Sequence, residues 1–194
     1  MTESLHGLRI AGSAFNWALR FYVRHLPLVV GVSLIPSVQR FWLVSEGDRV
    51  GAPLAVGTEV VAEGTRVVLV WLLLRLAFRG DPLLRPLTVR RRWRLLTDFI
   101  DRHLVAFLTQ FVVLAAAFVV LDLLPNTAIA TLVPADDRDT VTAVVVAAKN
   151  PTVIAMTFIW MIGVGVAMMR ATAAPPSTAP ATTPGDGTER PARG

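Results

Sequence analysis

The chain has 194 residues, 54% of them hydrophobic, and a mean hydropathy of +0.57, so it carries more apolar surface than a soluble domain of this length can hide. The lack of cysteine excludes disulfides, thiolate metal sites, iron–sulfur clusters and cysteine nucleophiles together. A formal charge of +5 and a pI of about 11.1 would suit nucleic acid, but in a multi-pass protein basic residues set orientation and meet anionic lipid, so no nucleic-acid partner is expected.

The segment 8–24 reads as an amphipathic helix. Arg9, Ser13, Asn16, Arg20 and Arg24 recur every three to four residues, with Leu8, Phe15, Leu19 and Tyr22 between them. That is the pattern of a helix lying in the membrane interface with Arg20 and Arg24 on lipid headgroups. The first span follows at about 26–45. It begins after three arginines and has no small-residue cleavage site, so it is not a secretory signal, and Pro36 should kink it. The second span, about 57–78, is cleanly apolar only from Val67 to Leu74 and must cross Glu59, Glu63, Arg66 and Arg75. The alternative is a re-entrant or interfacial hairpin of the first two segments, which returns the chain to the same side.

A second amphipathic helix is expected over 91–102, with Trp93, Leu96, Phe99 and Ile100 on its apolar side and Arg90, Arg91, Arg92 and Arg94 toward headgroups. The third and fourth spans, about 104–123 and 151–170, contain charge-free runs of 18 and 19 residues, enough to cross ~30 Å of hydrocarbon at ~1.5 Å per residue. Between them Asp136, Asp137 and Asp139 lack the glycine-bearing loop of a calcium site and read as a solvated outer loop. The segment 171–194 holds five prolines and few apolar side chains and is expected to be a disordered tail. Residues 1–170 therefore read as one all-α integral membrane domain with four transmembrane helices and two interfacial helices.

Orientation follows from the flanking charges. Thirteen of the Arg and Lys residues fall in the N-terminal segment, the loop after the second span and the tail, against Arg49, Arg138 and Lys149 on the other side. Basic flanks stay cytoplasmic, which places both termini inside. Eighteen Arg against one Lys is the residue usage of GC-rich codons and points to a bacterial plasma (inner) membrane.

Phe21, Arg24, His25 and Leu26 match Phe99, Arg102, His103 and Leu104 at a constant offset of 78. Unless the match is chance, the chain is a duplication, and because two spans restore sidedness the two repeats are parallel. The alternation of aromatic and basic juxtamembrane helices with spans, over residues 15–45 and 91–125, resembles the membrane domain found beside bacterial glycerophosphodiester phosphodiesterases. The likeness is one of pattern and carries no functional residue over.

The candidate site is Arg40 with Glu59, Glu63 and Arg66. In an antiparallel pair of spans, Arg40 lies roughly 7 Å inside its helix end, and Glu59 and Glu63 roughly 5 and 10 Å inside theirs. Glu59, Glu63 and Arg66 follow at i, i+4 and i+7 on one helix face. Charges at membrane depth must be paired or hydrated. They form either a polar cavity for a substrate or ion, or an ion-paired lock, or headgroup contacts on a helix that starts nearer Val67. Gly163 and Ala167 make a small-x-x-x-small pair that admits a close helix, either the third span at Ala115, Ala116 and Ala117 or a second protomer.

No nucleophile elbow, P-loop or paired-histidine zinc motif occurs, and His25 and His103 lack ligand companions. No enzyme activity, cofactor or metal is expected. The reading is a non-enzymatic multi-pass membrane protein, an accessory or scaffold subunit of a bacterial envelope system. Its partners would be the lipid bilayer with its anionic phospholipids, and a membrane-protein partner or a homo-oligomer. The competing reading is a small oligomeric transporter or channel built on Arg40, Glu59, Glu63 and Arg66.

Overall fold

The computed structural model describes residues 2–46 and 51–174, and among these the chain is all-helical. The proline-rich tail expected to be disordered lies, from residue 175, outside the described residues. Six helices follow one another: α1 (Thr2–Arg24), α2 (Leu26–Glu46), α3 (Ala52–Arg79), α4 (Val89–Arg102), α5 (Leu104–Leu132) and α6 (Ala135–Ala173).

Local chemistry explains most of the boundaries. Pro27 has no N–H to give the Val23 carbonyl, so the chain turns at His25 between α1 and α2. Gly80 and Pro82 end α3. Thr88 caps α4, its hydroxyl accepting from Arg91 N at 3.3 Å.

Two helices outrun their expected spans, and prolines show why. Pro125 should stop a helix a few residues after Leu121, yet α5 continues to Leu132 because a π-helical turn, Val119–Leu123, takes up the register change that the proline forces. The expected fourth span is only the C-terminal half of α6, where a second π turn, Asn150–Ile154, accommodates Pro151. The expected outer loop is correspondingly absorbed. Asp136 and Asp137 form a 3-10 turn and Asp139 sits in the first helical turn, all exposed, where carboxylates suit the positive end of the helix dipole.

Among the described residues three helices are long and apolar enough to cross a membrane, α2 through Leu26–Leu43, α5 and α6. The expected second span, α3, is a continuous helix of 28 residues, but Glu59, Glu63, Arg66 and Arg75 leave it short of that apolarity.

α6 is the axis of the bundle. Its N-terminal half packs on α2, and its C-terminal half on α1, α4 and α3. α1 joins α5 to α6 through a stripe of small residues, with Gly7, Ala11, Ala14 and Ala18 buried together with Ile10 and Phe21. The larger Leu8, Phe15 and Leu19 stay exposed. Gly163 receives α1 rather than the third span, because a Cβ built there would stand 2.8 Å from the Trp17 ring and 3.2 Å from the Ala14 carbonyl oxygen. α5 touches the rest mainly through α1, and Leu108, Phe111, Val112 and Phe118 project outward.

Candidate functional site: two polar layers on an apolar bundle

The four residues singled out from the sequence divide into two pairs. Arg40 on α2 donates to Glu59 on α3 at 2.6 Å, and Gln39 Nε2 donates to the other Glu59 oxygen at 3.0 Å. Glu63 does not join them. It pairs with Arg66 one turn along α3, and the second Arg66 nitrogen reaches Asn150 Oδ1 on α6 at 3.1 Å. The i, i+4, i+7 face of α3 is therefore real, but its two ends serve different neighbours.

Next to Asn150, Lys149 extends the array. Its ammonium donates to Asp122 on α5 at 2.8 Å and to Asn126 Oδ1 at 3.1 Å. Asp122 lies within the π turn of α5 and Lys149 immediately precedes that of α6, so each helix carries its ionised residue where its regular ladder is interrupted. Two charge-assisted groups thus sit side by side on α6: Glu63, Arg66 and Asn150 tie α3 to α6, and Lys149, Asp122 and Asn126 tie α6 to α5. Sequence reading used Lys149 only for orientation and passed over Asp122. The usable signal was that each abuts a charge-free run of span length.

A second layer closes the opposite end. Asp81, 2% exposed, accepts from the Leu83 and Leu84 amides at 2.9 and 3.2 Å and from Arg170 Nε at 2.7 Å. This Asx turn fixes the loop after α3 onto the end of α6. Arg92, expected at headgroups, instead donates to the Leu84 carbonyl at 3.0 and 3.1 Å and stacks over Phe78. Arg20, Arg24, Arg90, Arg91 and Arg94 are exposed.

From Asn150 to Arg170 is twenty residues of α6, about 30 Å of helix, and from Leu104 to Asp122 about 27 Å of α5. The two layers are a hydrocarbon thickness apart. Against this scale α1 climbs through the bundle: Gly7 faces Ala106 and Thr109 in the first turns of α5, Ala11 accepts from Trp160 Nε1 at 3.2 Å, and the Tyr22 hydroxyl donates to the Pro151 carbonyl at 2.8 Å. Gln110, buried on α5, donates to the Gly7 carbonyl at 2.8 Å. α2 begins part-way up, since Ser33 lines the same small cavity as Arg66, Asn150 and Ile154, and Arg40 lies beyond that level.

The larger cavities are apolar. A groove of about 660 Å³ lies between α1, α5 and α6, walled by Leu8, Phe15, Leu19, Leu114 and Met156 among others, and does not touch the paired charges. No group of three or more metal-ligating side chains occurs among the described residues. No protein-family model, curated protein or solved structure matches the chain.

Proposed function

We propose that this protein is a multi-pass plasma-membrane scaffold or accessory subunit that acts without catalysis and presents the apolar face of α5 to the bilayer or to a membrane partner. One observation carries the reading: Arg40–Glu59, Arg66–Asn150, Lys149–Asp122 and Arg170–Asp81 tie one element of the bundle to another, as a lock requires, with Arg75 lying over Trp71 of its own helix, and the larger cavities are apolar. A transporter would hold the same charges along a polar cavity.

The spacing of the two polar layers supports a bilayer lying between them, with Asp81, Arg92 and Arg170 at the cytoplasmic boundary and Arg66, Lys149 and Asp122 at the outer one. Four crossings result. α1 and α2 together make the first, with α1 as its lower leg rather than a helix flat on the surface, and α3, α5 and α6 make the others. Arg40 and Glu59 then sit in the outer headgroup region. The exposed arginines Arg20, Arg24, Arg90, Arg91 and Arg94 suit anionic phospholipid.

The two His-Leu junctions support a duplication. His25 N and His103 N each bond the carbonyl four residues back, at Phe21 and Phe99, and the His25 and His103 carbonyls each accept from the amide four residues on.

The test is purification from membranes in mild detergent, with identification of what co-elutes from the parent and from a Leu108→Ser, Val112→Ser variant. A stoichiometric membrane-protein partner lost in the variant is the expected result. Substrate-dependent flux in vesicles holding the purified protein alone, abolished by Arg66→Gln, would overturn the scaffold reading.

A further inference from the structure

Pro36 sits in the middle of α2, buried, and has no N–H for the carbonyl of Val32. One turn before it, Ser33 is 2% exposed and its hydroxyl has no hydrogen-bond partner among the described residues. Across from it on α3, Arg66 uses its two terminal nitrogens on Glu63 and Asn150, but its Nε is buried and unpartnered. Asn150, 3% exposed, accepts from Arg66 through Oδ1, while its Nδ2 makes only a long 3.5 Å contact to the Val146 carbonyl.

All of these residues, Val32, Ser33, Pro36, Arg66 and Asn150, line one cavity of about 10 Å³ where α2, α3 and α6 meet. That volume is about what one water molecule needs. Buried donors and acceptors are rarely left unpaired, and ordered water is the usual remedy.

We infer that this junction is a built site for one structural water, held by Arg66 Nε and Asn150 Nδ2 as donors and by the Ser33 hydroxyl and Val32 carbonyl as acceptors. Two donors and two acceptors match the tetrahedral valence of water. A chloride ion would meet the arginine favourably, but Arg66 is already neutralised by Glu63, and the Val32 carbonyl would repel an anion. The site also gives Pro36 a purpose: the hydrogen bond it removes from α2 becomes one that ties α2, through the water, to the polar chain on α3 and α6.

Substitution distinguishes a wet site from a dry hole. Ser33→Val fills the space with apolar atoms. If water is bound, the change displaces it, strands Arg66 Nε and lowers the melting temperature in detergent by several degrees. If the hole is dry, filling it raises the melting temperature, and the inference fails. Pro36→Ala in the Ser33→Val background supplies an N–H to Val32 and should return part of the loss. Replacing chloride by gluconate should leave the parent unchanged, and a saturable rise with chloride would overturn water in favour of an anion. Should Ser33→Val not fold, the parent crystallised from lipidic mesophase decides: a solvent peak within hydrogen-bonding distance of both Arg66 Nε and Ser33 Oγ is expected, and a cavity without density refutes the site.

Discussion

Arg40 and Glu59 hold α2 to α3 by a charged hydrogen bond, with Gln39 completing the carboxylate's shell. Arg40→Leu leaves Glu59 without its ion pair and should cost up to about 1 kcal/mol, because both side chains are more than a third exposed. Adding Glu59→Gln removes the stranded charge and should restore most of the loss in a detergent melt, without any change at Glu63, which is engaged by Arg66. If Arg40→Leu alone melts like the parent, the pair is hydrated and holds nothing. Asp81 should matter more, because it is buried and serves two amides and a guanidinium. Asp81→Ala removes the shared acceptor of all three donors and should cost about 1.5–3 kcal/mol, roughly 3–12 °C in melting temperature for a chain of this size, whereas Asp81→Asn keeps the Asx turn and should lose less. The two sites were unequally legible. Arg40, Glu59, Glu63 and Arg66 stand out because ionised side chains are rare within apolar runs, while Asp81, between Gly80 and Pro82, looks like any turn aspartate until α6 brings Arg170 beside it.

At the scale of elements, the helices were legible wherever composition alone decides, as in the charge-free runs that became parts of α5 and α6. Their true lengths were not, because proline reads as a stop in one dimension and a π turn is a three-dimensional way of passing it. The role of α1 was half legible. Its polar periodicity was plain, but the eye goes to Leu8, Phe15 and Leu19, whereas the packing stripe is made of Gly7, Ala11, Ala14 and Ala18, whose small size lets backbones approach. This gives a paired test on one helix. Gly163→Ala must displace Trp17 or the α1 backbone and should cost about 1–3 kcal/mol, as overpacking does. Gly165→Ala meets nothing within 4 Å and should be neutral or stabilise by up to about 1 kcal/mol through helix propensity. Equal melting temperatures for the two variants would mean that α1 does not seat against α6 as described.

For the molecule as a whole, sidedness and depth are separate questions. Reporter fusions after residues 48, 88, 137 and 180 should read outside, inside, outside and inside, and an outside signal at 88 would overturn the arginine count. Such fusions cannot place the bilayer along the bundle, yet depth decides whether Arg40 and Glu59 are intramembrane or at the headgroups. The lack of native cysteine makes that measurable with single cysteines and a membrane-impermeant maleimide. Val60, 66% exposed on α3, lies six residues beyond Arg66, about 9 Å further from the cytoplasmic layer. Val112, 68% exposed on α5, lies eight residues past Leu104, about 12 Å inside. If the bilayer fills the interval between the two polar layers, Val60→Cys reacts in intact cells and Val112→Cys does not. If α2 and α3 instead cross as a pair at full depth, with their charges within the hydrocarbon, both cysteines stay unmodified until detergent is added. That second outcome would return Arg40 and Glu59 to membrane depth, where an exposed ion pair is expensive, and the case for a polar pathway would have to be argued again from those two residues.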